Sequence, residues 1–424
     1  MTAPRTEFFL LDPGGVERGK WAPGKPADAV AASRVAFPLS MTGLDVWGRE
    51  VVATGLHIES GDLDGACAVV PGSVRPMPWV GDDVVDAMLE MRLADGTPFY
   101  GDSRNALRSA MLRLEGLGVG ATIAMELEFY LFDPAAADPT GPVERQAMYD
   151  LKALSGRQEF FDAVRRAAEA QDVPADTIIS EAAQDQYEVN LVHRADAMAA
   201  ADDAVRLRRI VRGAAARHGL EATFMAKPYA DRPGNGLHVH VSLVTGEGRN
   251  LFGETDDGAD RLQHAVGGLI ETMQDGMLVF ANTRNGFRRF APASYAPNRL
   301  NWGENNRSVA IRIPASGPQA RRFEHRIAGA DANPYLVLAL ILQGAAHGME
   351  HGIAPPAPCS GNAYEGDAPF LESAMRPAID CFLASEWIRS VMGPDLQAHI
   401  AAVKRQECAA FDEHICGFES DTYR

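Results

Sequence analysis

The chain has 424 residues, 46% of them hydrophobic and 23% charged, with a formal net charge of −17. That length supports a large core and more than one domain, and the composition is that of an ordinary globular protein. The acidic balance argues against nonspecific binding to nucleic acid or to an anionic membrane surface.

In chain order, Glu7 to Asp12 reads as a strand, Pro13-Gly14-Gly15 as a turn and Val16 to Lys20 as the returning strand. Ala66 to Val70 and Val80 to Leu93 read as further strands, broken by Pro71-Gly72 and Pro76-Met77-Pro78. Leu107, Met111 and Leu114 recur at helical spacing, so Arg104 to Leu117 is a predicted amphipathic helix. The break at Asp95-Gly96-Thr97-Pro98 divides a β-rich unit, 1–100, from a mixed unit, 101–424. The second unit opens with a strand over 121–132 and a loop from Pro134 to Pro142. Helices follow at Gln158 to Gln171 and Ala195 to His218, flanking the stretch Ile178 to Val192. Thr223 to Lys227 and Leu237 to Leu243 read as strands, and Leu262 to Phe280 as a helix. The stretch 281–334 is long, polar and rich in arginine, and loops of that kind are usually functional. From Pro334 onward the chain reads as mostly helical, closing with Ile379 to Ser390 and Leu396 to Phe411. The five cysteines are scattered and no two show CxxC spacing, which predicts reduced thiols in a cytoplasmic protein. The first ten residues lack the apolar core of a secretory signal, and the run Tyr335 to Leu342 is too short to span a bilayer.

Three extended stretches carry the chemistry. In Leu237 to Ser242, alternation puts His238, His240 and Ser242 on one face and Leu237, Val239 and Val241 on the other. Glu126 and Glu128 share a face of an otherwise apolar strand. Two carboxylates there repel unless a proton or cation compensates, and a divalent ion such as Mg²⁺ or Mn²⁺ is the natural counterion. The third is Arg322-Phe323-Glu324-His325-Arg326, which puts Arg322, Glu324 and Arg326 on one face and closes a run of arginines from Arg288 on, several in apolar surroundings such as Val309-Ala310-Ile311-Arg312-Ile313. Arginines so placed bind carboxylates and phosphates bidentately. Carboxylates, imidazoles and arginines together point to metal-assisted phosphoryl transfer from a nucleotide.

With these residues in view, the sequence resembles the glutamine synthetase family along nearly its whole length. The carrying motifs are Met125-Glu126-Leu127-Glu128-Phe129, Glu181 through Glu188, and Phe224-Met225-Ala226-Lys227-Pro228. Gly234-Asn235-Gly236-Leu237-His238-Val239-His240-Val241-Ser242, Asn306 through Pro314, Arg322-Phe323-Glu324-His325-Arg326 and Ala332-Asn333-Pro334-Tyr335 complete the set. The resemblance implies an α+β fold with a small N-terminal β-grasp domain and a larger catalytic domain of antiparallel sheet and helices. It implies two or three Mg²⁺ or Mn²⁺ ions, ATP as cosubstrate and a homo-oligomer of two stacked hexameric rings, with active sites between subunits. By correspondence, Glu128, Glu181 and Glu188 would hold one metal, and Glu126, His238 and Glu324 the other. His240, Ser242, Arg312 and Arg322 would line ATP. Arg289, Arg326 and the Gly234 backbone would hold glutamate, and Arg307 would stabilise the transferred phosphoryl group.

One position departs from the family pattern. A flap glutamate that takes the proton from ammonium in glutamine synthetases is replaced here by Tyr295, within Arg289-Phe290-Ala291-Pro292-Ala293-Ser294-Tyr295-Ala296-Pro297. A tyrosine, with a reference pKa of about 10, neither binds ammonium as a carboxylate does nor serves readily as its base. This flap is similar to that of the γ-glutamylpolyamine synthetase branch. The resemblance therefore implies a ligase joining glutamate to a polyamine such as putrescine or to a small monoamine, with ammonium-using glutamine synthesis as the alternative and an inactive regulatory homologue behind it. Asp45 is the candidate for the family's N-terminal amine-site aspartate.

Overall fold

The computed structural model describes residues 5–134, 148–291 and 294–424. From residue 135 on, the expected loop at 134–142 lies outside the described residues, as do Pro292 and Ala293 of the flap.

Six strands form the first sheet: β1 (Arg5–Leu11), β2 (Glu17–Pro23), β3 (Arg34–Pro38), β4 (Asp64–Val69), β5 (Arg75–Pro76) and β6 (Val84–Arg92). Their order is β2-β1-β6-β4-β3, with β5 also on β6, and only the β1–β6 pair is parallel. The sheet is apolar on both faces. Phe8, Leu10, Phe37, Cys67, Leu89 and Met91 fill its own small core, while Phe9, Leu11 and Met88 join the main core of the molecule. Strand β3 was not anticipated, because its short Arg-Val-Ala-Phe-Pro run lies in a Pro- and Gly-rich stretch. Strand β6 ends at Arg92 and the next helix, Ser103–Gly116, begins with its backbone capped by Asp102.

The second sheet holds β7 (Val119–Phe132), β8 (Ala175–Ser180), β9 (Gln186–Leu191), β10 (Glu221–Thr223), β11 (Leu237–Thr245), β12 (Trp302–Glu304), β13 (Ile311–Ile313) and β14 (Phe323–His325). Its order is β12-β13-β14-β11-β7-β9-β8, with β10 also on β7, and all pairs are antiparallel except β12–β13. Leu237, Val239, Val241 and Leu243 of β11, with Ile123, Met125 and Leu127 of β7, are buried in the main core. Helices 103–116 and 197–217 pack on β7. Burial of one face so uniformly apolar pins the register, since a one-residue slip would turn the polar set inward.

Arg206 of helix 197–217 ties the two sheets. Its guanidinium donates to Asp86 of β6 at 2.8 Å and to the Ser73 carbonyl, and both side chains of the ion pair are buried. The helix Gly258–Thr272 crosses Pro334–His351 at backbone contact: a Cβ on Gly268 would lie 2.2 Å from the Gly344 carbonyl oxygen.

The structure departs from expectation at several boundaries. β10 stops at Thr223 rather than running to Lys227, because Asn235 Nδ2 takes the Thr223 and Met225 carbonyls and Pro228 has no N–H to donate. The expected helix Leu262 to Phe280 divides into 258–272 and Met277–Phe280. The C-terminal helical run is interrupted over 352–374, where Gly352 ends a helix at φ +62° and Pro355, Pro356 and Pro358 follow. Ile379 to Ser390 is two helices, and the Ser385 hydroxyl accepts the Ile388 N–H to start the second. All five cysteines are free. Among the described residues no helix is long and apolar enough to cross a membrane.

Candidate active site

The polar face of the central strands is assembled by register. His238 of β11 lies opposite Glu126 of β7, Glu188 of β9 opposite Glu128, and Glu324 of β14 opposite His240. Four strands thereby bring six acidic and imidazole side chains onto neighbouring positions, and the turn between β8 and β9 adds Glu181. Their ligand atoms fall into three groups, each within 4.8 Å: Glu128, Glu181 and Glu188; Glu126, Glu188 and His238; Glu126, His240 and Glu324. The first is the set expected for one metal. For the other, His238 Nδ1 is 3.2 Å from Glu126 and 3.9 Å from Glu324, as expected, but His240 shares those two carboxylates. His240 Nε2 is 2.9 Å from Glu126 Oε1, and its Nδ1 accepts from Arg322 Nε at 3.1 Å. With Nδ1 accepting, Nε2 carries the hydrogen toward Glu126.

The electrostatics of this face are those of a cation site. Burial raises the Glu181 carboxyl first and the Glu128 charge second, bringing it to about 7. Glu188 is pushed well above the carboxylate range by burial and by Glu126, Glu128 and Glu181. Burial also opposes charge on Glu126 and Glu324. There the imidazoles of His238 and His240 hold Glu126 low, and Arg326 with those imidazoles holds Glu324 at about 2. Glu126 and Glu324 are thus held ionised by local partners, while Glu181 and Glu188 resist ionising until a cation offsets their neighbours' charge. An oxygen-rich set with one or two imidazoles and uncompensated carboxylates suits a hard divalent ion.

Arginines ring the cluster. Arg326 and Arg312 both donate to Glu324, Arg312 at 2.8 Å, and Arg312 also reaches Asn305. Arg289 is buried and donates to the Ile327 carbonyl at 2.7 Å. Gly234 lies against it: a Cβ there would meet the Ala226 carbonyl oxygen at 2.5 Å and Arg289 Cγ at 2.7 Å. Gly236 donates its N–H to Glu128 at 2.6 Å, and a Cβ on it would lie 2.9 Å from His238 Nε2 and 3.0 Å from Arg289, so side chains are excluded at both glycines.

Two cavities meet at this face. One, about 810 Å³, is lined by His240, Ser242, Asn250, Gln319 and Arg322. The other, about 690 Å³, is lined by Glu126, Glu128, Glu181 and Glu188 with Gly234, Arg289, Arg307, Arg326 and Tyr295. Glu126, Asn190, His240 and Arg322 belong to both walls. Arg312, expected beside ATP, faces the second cavity and not the first. Ser242 donates to the Arg321 carbonyl at 3.0 Å. Tyr295 is exposed on the second cavity with φ +63°. Asp45 lines neither: it is fully buried, accepting from the backbones of Trp47 and Arg49, from Arg49 Nε at 2.7 Å and from Gln406 at 3.0 Å. The sequence reading passed over Asn190, Tyr149 and Tyr364, which also line the second cavity and belong to no recognised motif.

Residues 100–423 match the family signature "Glutamine synthetase, catalytic domain". The chain belongs to the glutamine synthetase family. Among curated glutamine synthetase relatives, γ-glutamylputrescine synthetase PuuA of Escherichia coli K12 is 33% identical over 97% of this chain and 90% of its own length. γ-Glutamylethanolamide synthetase GlnA4 of Streptomyces coelicolor is 29% identical, covering 84% of this chain and 78% of its own. Glutamine synthetase of Pyrococcus horikoshii is 32% identical over 85% and 78%. Among solved structures, ligand-free GmaS superposes with a TM-score of 0.86 at 28% identity, covering 99% of this chain and 96% of its own. The chain is a glutamine synthetase-type ligase, of a family that uses ATP and divalent metals, and it resembles the amine-ligase branch.

Proposed function

We propose that the protein joins the γ-carboxylate of glutamate to an organic amine at the cost of ATP. The observation that carries this reading is Tyr295 on the wall of the second cavity. Among the described residues lining that cavity, every carboxylate belongs to the cation cluster, so no further carboxylate is left to bind ammonium as its counterion. That two relatives are named for γ-glutamylputrescine and γ-glutamylethanolamide, and a third, from Pseudomonas, as a glutamate–isopropylamine ligase, supports it.

In this reading residues 1–100 form one domain and 101–424 the catalytic one. Glu128, Glu181 and Glu188 would hold one Mg²⁺ or Mn²⁺, and Glu126, His238 and Glu324 a second, with His240 beside it. Bound there, divalent ions supply Lewis-acid neutralisation of phosphate charge. ATP enters the cavity of Ser242, His240 and Arg322. Glutamate occupies the other, its α-carboxylate against Arg289 and Arg326 and its ammonium toward the Gly234 carbonyl. Its γ-carboxylate attacks the γ-phosphate from the opposite side, and Arg307 and Arg312 offset the charge developing on the phosphoryl oxygens. The amine then attacks the γ-glutamyl phosphate, forms the C–N bond and expels phosphate. Glu181, on the wall of the glutamate cavity, would take up the amine's proton. We further propose that the chain works as a homo-oligomer, a dodecamer of two rings.

The test is phosphate release by purified enzyme with glutamate and ATP across ammonium, monoamines, diamines and polyamines. At least one organic amine should exceed ammonium at least about tenfold in kcat/KM, the size of a lost hydrogen-bonding or charge contact. Faster turnover with ammonium refutes the reading.

A further inference from the structure

Tyr364 belongs to no motif noted in the sequence. It lies in the irregular stretch 352–374, half-buried, and its ring faces the second cavity beside Tyr295, Arg289 and Arg326. Its hydroxyl donates to the carbonyl of Ala296 at 3.1 Å, one residue beyond Tyr295. Its own carbonyl is held by Arg299 Nε at 3.2 Å. The residues just before it grip a different loop. Asn306 Nδ2 donates to the Gly361 carbonyl at 2.9 Å, and the Ala363 N–H donates to Ser308 Oγ at 3.1 Å. Those two contacts flank Arg307. One short segment therefore touches the acceptor-side loop through a side chain and the phosphoryl-side turn through its backbone.

The acceptor-side loop needs an outside hold. Tyr295 is a bulky residue at φ +63° and is 63% exposed, so its conformation is not the one the chain prefers and little packing enforces it. Ser294 Oγ, bonded to the Arg289 carbonyl, fixes the near end. Tyr364 fixes the far end.

We propose that Tyr364 is a positioning residue that holds the Tyr295 loop in register with the Arg307 turn, and so sets how well the acceptor is favoured over water. This rests on the ligase chemistry proposed above. In productive turnover the amine nitrogen bonds to the γ-carbon, the C–O bond to phosphate breaks and the amine's proton leaves. In leakage, water attacks the same carbon, giving glutamate and phosphate and releasing a proton to solvent.

The experiment compares wild type with Tyr364→Phe, which keeps the ring and removes only the hydroxyl, measuring amine KM, ATP KM and glutamate-dependent phosphate release without acceptor. Expected for Tyr364→Phe are an amine KM raised about tenfold, the scale of one net hydrogen bond, and increased leakage, with ATP KM and the melting temperature unchanged. Tyr364→Ala should leak more. Unchanged amine KM and leakage in Tyr364→Phe overturn the proposal, as does an ATP KM that rises equally. If wild type prefers ammonium, the organic-amine reading fails by itself, and the same comparison with ammonium as acceptor still decides the role of Tyr364.

Discussion

The cation cluster makes opposite demands on its residues with and without metal. Glu181 and Glu188 are raised by burial and by their neighbours' charge. A carboxyl whose folded value lies above its unfolded one contributes stability below the unfolded value and loses it as pH climbs through the folded one. For Glu181 that window runs from the model value of 4.5 to about 7. Cation-free protein should lose stability across it, and the melting-temperature gain on adding Mg²⁺ should be larger near pH 8 than near pH 5, as read by calorimetry. Glu188→Gln should melt higher than wild type without metal, gain little from Mg²⁺ and lack ligase activity. Tyr295→Glu should raise ammonium-dependent phosphate release about tenfold or more and lower amine use, because a carboxylate both attracts ammonium and takes its proton. Gly234→Ala forces a methyl against Arg289 and the Ala226 carbonyl, so glutamate KM should rise about tenfold with ATP KM little changed. These residues were legible in the chain because period-two alternation separates Glu126, His238 and His240 from an apolar face. Asp45 lines neither cavity of its own chain; its four donors come from Trp47, Arg49 and the distant Gln406, a set with no linear signature.

At the scale of elements, β7, β11 and the helices 103–116, 158–170 and 197–217 match the sequence reading, while β9 was not assigned a type and the helices after Leu262 were divided wrongly. β7 and β11 alternate cleanly over long runs, so type and face follow directly from sequence. β3 is only a five-residue run among prolines and glycines, and its strand state depends on pairing with β4. The breaks near Gly276, Gly352 and Ser385 are set by caps and tertiary contacts that hydropathy does not encode. The helix crossing at Gly268, Gly344 and Gly348 is a similar case: three glycines in helical sequence look merely permissive, yet a Cβ on Gly348 would stand 2.0 Å from the His264 carbonyl oxygen. Gly348→Val should therefore separate these helices and lower the urea midpoint by the equivalent of about 3 kcal/mol or more, if it folds at all. Tyr364 escaped notice for the same reason as the breaks. Its importance lies in a hydrogen bond to a residue 68 positions away.

At the scale of the whole molecule, the C-terminal segment presents Ile415, Phe418 and Tyr423 almost fully to solvent around the helix Gly417–Tyr423. Three large apolar side chains exposed together are the mark of an interface. Light scattering on the intact chain should report the ring assembly proposed above, and a chain ending at Glu413 should give a smaller particle. The two cavities carry a further consequence. Their linings share Glu126, Asn190, His240 and Arg322 and are otherwise separate, so in the proposed reading ATP and glutamate sit in different chambers. In that reading nucleotide should exchange while the amide product is still seated. Product inhibition should show this directly, with ADP competing against ATP but not against glutamate.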